Sequence, residues 1–287
     1  MAAARNKIES LQALRAVAAL CVVAHHAFRA VTVNADPALG LPEPRLLFNE
    51  HVVEIGAFGV DLFFILSGFL MVVIAGPYVE GRRPKADFIV QRIIRVWPLY
   101  ALATLLFLAL KLAAWAVRGG PIPFDFDPLR LLSLAFVPSF NENGVLQPIV
   151  GVGWTLNYEF LFYLVFLAAL VAGTRHVFAT LCAFLAVVFA VGLALPADTA
   201  AGAFLANPIL FEFLFGGAAA VLWQRGLLPK ASGWPLVALG LALLWAFAFV
   251  PNESVMRFLA RGLPCLLIFA GILVLNDRIA WPRALVF

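Results

Sequence analysis

Four side chains able to handle protons stand inside otherwise apolar runs: His26, Asp61, Glu159 and Glu212. Two arginines, Arg92 and Arg95, open another such run at a spacing of i and i+3. An imidazole titrates close to neutral pH and serves as base or proton shuttle. Carboxylates beside it orient the ring or pass the proton on. An ionisable group at bilayer depth costs roughly 2.5–3.5 kcal/mol on insertion scales, so its presence is a functional-site hypothesis by default. The arginine pair lies on one face of a helix, and guanidinium geometry suits a phosphate. The residue types therefore predict proton chemistry in a polar chamber within the apolar bundle, with an anion site near one end.

These groups need elements to hold them. Of 287 residues, 64% are hydrophobic and 13% charged, and the mean hydropathy is +0.99. A soluble domain carries about 25% charged residues. Apolar stretches near the roughly 20 residues that span a bilayer core recur along the chain. The bilayer admits helices or closed barrels, and these runs are too long and uniform for barrel strands. The fold class is thus all-α, a polytopic transmembrane helical bundle of about eight spans, over about 11–31, 52–75, 92–117, 150–172, 177–195, 206–224, 235–250 and 260–276. Residues 1–287 read as a single integral membrane domain. The first segment follows Arg5 and Lys7 but outruns a signal-peptide core and has no small-residue cleavage site.

Basic residues set the sides. Arg5 and Lys7, then Arg82, Arg83, Lys85, Arg92 and Arg95, then Arg175, Arg225, Lys230, Arg278 and Arg283 share one side if the N-terminus is cytoplasmic. The opposite loops hold Asp36, Glu43, Glu50, Asp125, Asp127, Glu142, Asp198 and Glu253, with Arg45, Arg118, Arg130 and Arg257 as exceptions. In the long loop 119–151, Pro128 to Val137 is expected to form a short interfacial helix. The net charge of +4 speaks to orientation and gives no sign of a nucleic-acid partner.

Arg15 and His26 lie eleven positions apart. That is three turns plus about 20°, so they share a helix face and stand about 16 Å apart along the axis. Arg15 can equally snorkel to headgroups, and His25, about 80° away, can bond a neighbouring carbonyl. Asp61 needs a partner, and His26 on the preceding span is the expected one. Gly56, Gly59, Ser67 and Gly68 suit close helix packing. Trp154 and Tyr158 suit interfacial anchoring. Cys21, Cys182 and Cys265 sit in apolar runs without metal-ligand spacing and read as small core residues. No two of His25, His26, His51 and His176 have i, i+4 spacing, so no metal site is expected.

Several of these residues fall into a known pattern. The chain resembles the acyltransferase 3 family of integral membrane O-acyltransferases from about residue 8 to 287. The first span carries arginine, ten residues, then histidine, here Arg15 and His26. Gly59 to Phe69 resembles the family's GVDLFFxxSGF. Arg92, Arg95, Pro98 and Tyr100 resemble RxxRxxPxY, with Gln91 where many relatives have another arginine. Trp154, Thr155, Leu156, Glu159, Phe162 and Tyr163 resemble W(S/T)LxxExxFY, and Phe211, Glu212, Phe213 and Gly216 resemble FEFxxG.

The resemblance implies transfer of an acyl group, commonly acetyl from acetyl-CoA as co-substrate, to a hydroxyl of a cell-envelope glycan, a lipid-linked sugar or a small metabolite. It places the protein in a bacterial plasma membrane. His26 is then general base or transient acyl carrier. Asp61 or Glu159 holds its tautomer, and Arg15 positions the donor or pairs with a carboxylate. Arg92 and Arg95 hold the phosphates of CoA. Substrate binding falls to Trp154, Tyr163, Glu212 and Ser67. The family also has about ten spans and a late SYxxYLxH-like element. This chain ends at ALVF where that element would begin, so it is expected to lack the last spans. Competing readings are a transporter or flippase with a His26–Asp61 proton relay, an intramembrane protease using Ser67, and a non-catalytic scaffold. The acceptor and the oligomeric state are not legible.

Overall fold

In the computed structural model, residues 8–34, 56–121, 123–248, 250, 256–276, 278–279 and 281 are described. Arg5, Lys7, Asp36, Glu43, Arg45, Glu50, His51, Glu253 and Arg283 lie outside them. The described residues form helices and turns with no strand, and one isolated bridge joins Phe140 and Leu146.

The main helices are α1 (Glu9–Asn34), α2 (Phe58–Ile74), α3 (Lys85–Arg118), α4 (Trp154–Val171), α5 (Val177–Ala194), α6 (Glu212–Gln224), α7 (Gly233–Ala246) and α8 (Leu263–Val274). They coincide in position with the eight apolar runs. Five helical stretches have the length and composition to cross a membrane: Glu9–Ala30, Lys85–Arg118, Gly151–Val171, Val177–Ala194 and Ala200–Gln224. Phe58–Ile74, Gly233–Ala246 and Phe258–Val274 are shorter apolar helices. The protein is an all-helical integral membrane protein.

Two boundaries differ from the sequence expectation. Helix α3 starts at Lys85 rather than near residue 92 and runs for 34 residues, about 51 Å at 1.5 Å per residue. Arg92 and Arg95 therefore sit inside a helix, about 10 and 15 Å from its start. Pro98 lies within it, as membrane helices tolerate. Helix α8 is preceded without a break by a π-helical turn, Phe258–Gly262. Arg257, read from sequence as a loop residue, is thus the N-cap of that turn and buried.

The described residues divide into two compact units, 1–73 with 211–287, and 74–210. The first has a continuous apolar core of Leu11, Leu14 and Ala18 from α1, Leu62, Ile65 and Phe69 from α2, Ala219 and Ala220 from α6, and Ile268 and Phe269 from α8. Phe69 packs edge-on against Phe269 at 5.1 Å. Close approach of α2 and α6 depends on two glycines. A Cβ on Gly68 would collide with the Phe213 backbone, and one on Gly216 with the Ile65 carbonyl. Small residues permit such backbone contact in membranes, where apolar burial gives no preference for helix over lipid.

In the second unit, Phe88 of α3 packs on Phe166 of α4 at 5.2 Å. Where a helix was expected from Pro128 to Val137, the chain forms a short one, Pro128–Leu131, followed by a 3-10 turn, Leu132–Ala135. Asp127 caps it by accepting from the Leu129 N–H. It is pinned to α3: Trp97 Nε1 donates to the Leu134 carbonyl and the Tyr100 hydroxyl to the Ser133 carbonyl. Arg130 is 2% exposed and donates to Ser139 Oγ and to the Phe140 and Gln147 carbonyls. It ties the following loop into one body.

Gly216→Val will lower the thermal midpoint of the detergent-solubilised protein by the equivalent of about 1–3 kcal/mol or more, the cost of overpacking. Gly76→Ala, whose added Cβ meets nothing nearer than 3.9 Å, will leave it unchanged.

Candidate functional site

In the first unit, Asp61 of α2 and Glu212 at the start of α6 are both 0% exposed, with Arg257 at 6% and Arg261 at 4% beside them. Arg257 Nη2 donates to Asp61 Oδ2 at 3.0 Å. Asp61's principal partner in the described residues is thus an arginine 196 positions away, in place of the expected histidine. Glu212 lies in the field of Asp61, Arg257 and Arg261, and close enough to Asp61 to hydrogen-bond if one of the two carboxyls carries a proton. Cys265, the third residue of α8 and fully buried, lies in the field of all four, and its thiol donates to the Phe58 carbonyl. Gly262 makes room for Glu212: a Cβ there would sit 3.0 Å from its Cγ.

The unit also holds Arg15, His25, His26 and Ser67. Helix α1 is continuous, so the shared face and the separation of about 16 Å between Arg15 and His26 hold. Arg15 is half-buried and His26 exposed, while His25 is buried. The two imidazoles meet edge-to-face at 5.1 Å, and Arg29 lies near enough to act on His26. Ser67 is half-buried on α2.

A second cluster is built in the other unit. The Tyr163 hydroxyl donates to Glu159 Oε1 one turn earlier on α4. The Arg92 guanidinium carbon lies 5.8 Å from the Tyr163 ring centre and 5.7 Å from that of Phe88, a cation–π arrangement. Its Nε is buried with no hydrogen-bond partner. Arg95 is exposed and acts on Tyr163 electrostatically. Four residues expected to work at opposite ends of the protein, Arg92 and Arg95 with Glu159 and Tyr163, thus form one polar cluster. Trp154 is half-buried and touches Tyr158 edge-on at 5.9 Å. Tyr158 is not an interfacial anchor: it is 3% exposed and stacks on Phe204 at 4.3 Å.

Sequence reasoning missed Arg257 and Arg261. A signal existed, since Arg257 broke the charge bias of its loop and Arg261 follows it at i+4. Arg130, another exception to that bias, is likewise buried and bonded. Among the described residues no group of three or more His, Cys, Asp or Glu side chains is placed to hold a metal ion.

The profile of the acyltransferase domain family matches residues 8–287. The chain belongs to that family. It is 36% identical over 199 residues to the exopolysaccharide production protein ExoZ of Rhizobium meliloti, covering 67% of this chain and 57% of that protein. It is 29% identical over 162 residues to the acyltransferase MdmB of Streptomyces mycarofaciens, covering 56% of this chain and 38% of that one. Protein 2 of the picA locus of Rhizobium radiobacter is 32% identical over 163 residues, 52% of this chain and 75% of that protein. The chain thus spans little more than half of ExoZ and well under half of MdmB. No solved structure gives a significant match.

Tyr163→Phe removes the phenolic donor to Glu159. It will destabilise the solubilised protein by about 1.5–3 kcal/mol, the worth of a hydrogen bond to a charged group, read as a fall in thermal midpoint. Arg95→Gln at an exposed position will stay within about 0.5 kcal/mol of wild type.

Proposed function

We propose that the protein is a membrane-bound O-acyltransferase that moves an acyl group, acetyl by the habit of its family, from acyl-CoA to a hydroxyl of a cell-envelope glycan, a lipid-linked sugar or a small metabolite. The observation that carries this reading is the family match across residues 8–287. The name of ExoZ, an exopolysaccharide production protein, supports an envelope polysaccharide as acceptor. That of MdmB, an acyltransferase, supports the reaction class. The distribution of Lys and Arg supports a cytoplasmic N-terminus in a bacterial plasma membrane.

In this reading the acceptor oxygen attacks the thioester carbonyl as its proton passes to His26. The C–S bond then breaks, and the leaving CoA sulfur takes up a proton. The exposure of His26 supports a group that meets substrate, either as base or as transient acyl carrier. Arg15, one face and about 16 Å away, positions the donor or pairs with a carboxylate. Arg92 and Arg95 hold the CoA phosphates. The open hydrogen-bonding capacity of Arg92 Nε supports an anion there, and Tyr163 and Glu159 fix the arginine's surroundings. Ser67 and Trp154, both half-buried, are assigned to substrate binding.

The test is acetyl-CoA binding and thioester turnover by the full-length protein in proteoliposomes, wild type against His26→Ala. The expected result is retained binding and membrane insertion with transfer lost by at least the 10²–10⁴-fold of an absent general base. Normal transfer by His26→Ala removes the assignment. Absence of donor binding in wild type, with solute uptake instead, replaces the enzyme with a transporter.

A further inference from the structure

Both oxygens of Glu212 are buried and no donor in the described residues reaches either. Asp61 Oδ1 is in the same position. A buried carboxylate without hydrogen bonds is among the costliest states a side chain can take, and nearby positive charge relieves only part of that cost. The surroundings are nevertheless built around the group. Gly262 leaves the volume its carboxyl fills. The backbone there is a π-helical turn, a rare geometry concentrated at functional sites. That turn brings Arg257 and Arg261 to the two acids.

One species completes this arrangement. The Asp61 and Glu212 carboxyls face one another at hydrogen-bonding approach, yet two carboxylates have no donor between them. Arg257 donates to Asp61 Oδ2 through Nη2. A proton on Glu212 would supply the missing donor to Asp61. The charged and titratable groups facing Glu212 are Asp61 from α2, Arg257 and Arg261 from the π-turn, and Cys265 from α8.

We propose that Glu212 is a proton-binding site inside the first unit, holding its proton in a hydrogen bond to an Asp61 that is fixed by Arg257. The pair takes up or releases one proton with no bond to carbon or sulfur changing. Arg257 and Arg261 are positioning residues for it. This site is independent of whether acyl transfer is the reaction, because its proton can be observed without a donor or an acceptor.

The experiment is infrared difference spectroscopy of the full-length protein in proteoliposomes as the pH is stepped through neutrality. Wild type is expected to show a carboxylic-acid carbonyl band that fades as pH rises. The band shifts when the chain carries 13C-carboxyl glutamate and not when it carries 13C-carboxyl aspartate. It disappears in Glu212→Gln and persists in Glu159→Gln. Should Glu212→Gln fail to assemble, the isotope shift in wild type together with the Glu159→Gln spectrum still decides. No glutamate-labelled band, or one that survives Glu212→Gln or is lost in Glu159→Gln, overturns the proposal.

Discussion

The ion pair between Asp61 and Arg257 is the contact on which the first unit turns. Charges are expensive in an apolar interior, and attraction repays their desolvation only when geometry and additional bonds are good. A 3.0 Å contact between α2 and the turn leading into α8 therefore tells those two elements where to stop. Apolar packing alone does this poorly in a bilayer, since lipid tails solvate leucine as well as another helix does. The glycines at 68 and 216 add the steric half of the same instruction, because they fix how closely α2 and α6 approach.

The second unit solves the same problem with different chemistry. Its cations are held by aromatic faces, carbonyls and one carboxylate, Asp125, which lies 3.6 Å from Arg130 and also pairs with Lys111. Arg92 rests against Phe88 and Tyr163, and Arg130 is wrapped by the carbonyls of its own loop. In the first, carboxyls and guanidiniums face each other. In the second, Arg92 Nε has no hydrogen-bond partner and lies beside a tyrosine engaged with Glu159.

The positions of the eight main helices were legible because length and hydropathy are local properties. The pairing of Asp61 was not legible. It joins residues 196 positions apart, and His26 was favoured only because it stood on the neighbouring segment. Arg257 was assigned to a loop because charge marks the end of a span in sequence, whereas its side chain is buried against Asp61 at the start of the π-helical turn. Tyr158 looked like an anchor because tyrosine is amphipathic, and its burial against Phe204 depends on a residue 46 positions later in the chain. The cluster of Arg92, Glu159 and Tyr163 drew on motifs recognised one by one. What the sequence withheld was that they meet.

The most direct measurement is a double-mutant cycle on the first unit, with Asp61→Asn, Arg257→Gln and both together, followed by thermal or denaturant unfolding in detergent. If the pair holds α2 to α8, each single change leaves a buried charge uncompensated and costs about 3–5 kcal/mol, while the double change recovers most of that loss. Single effects that are small, or that simply add in the double variant, would contradict the account.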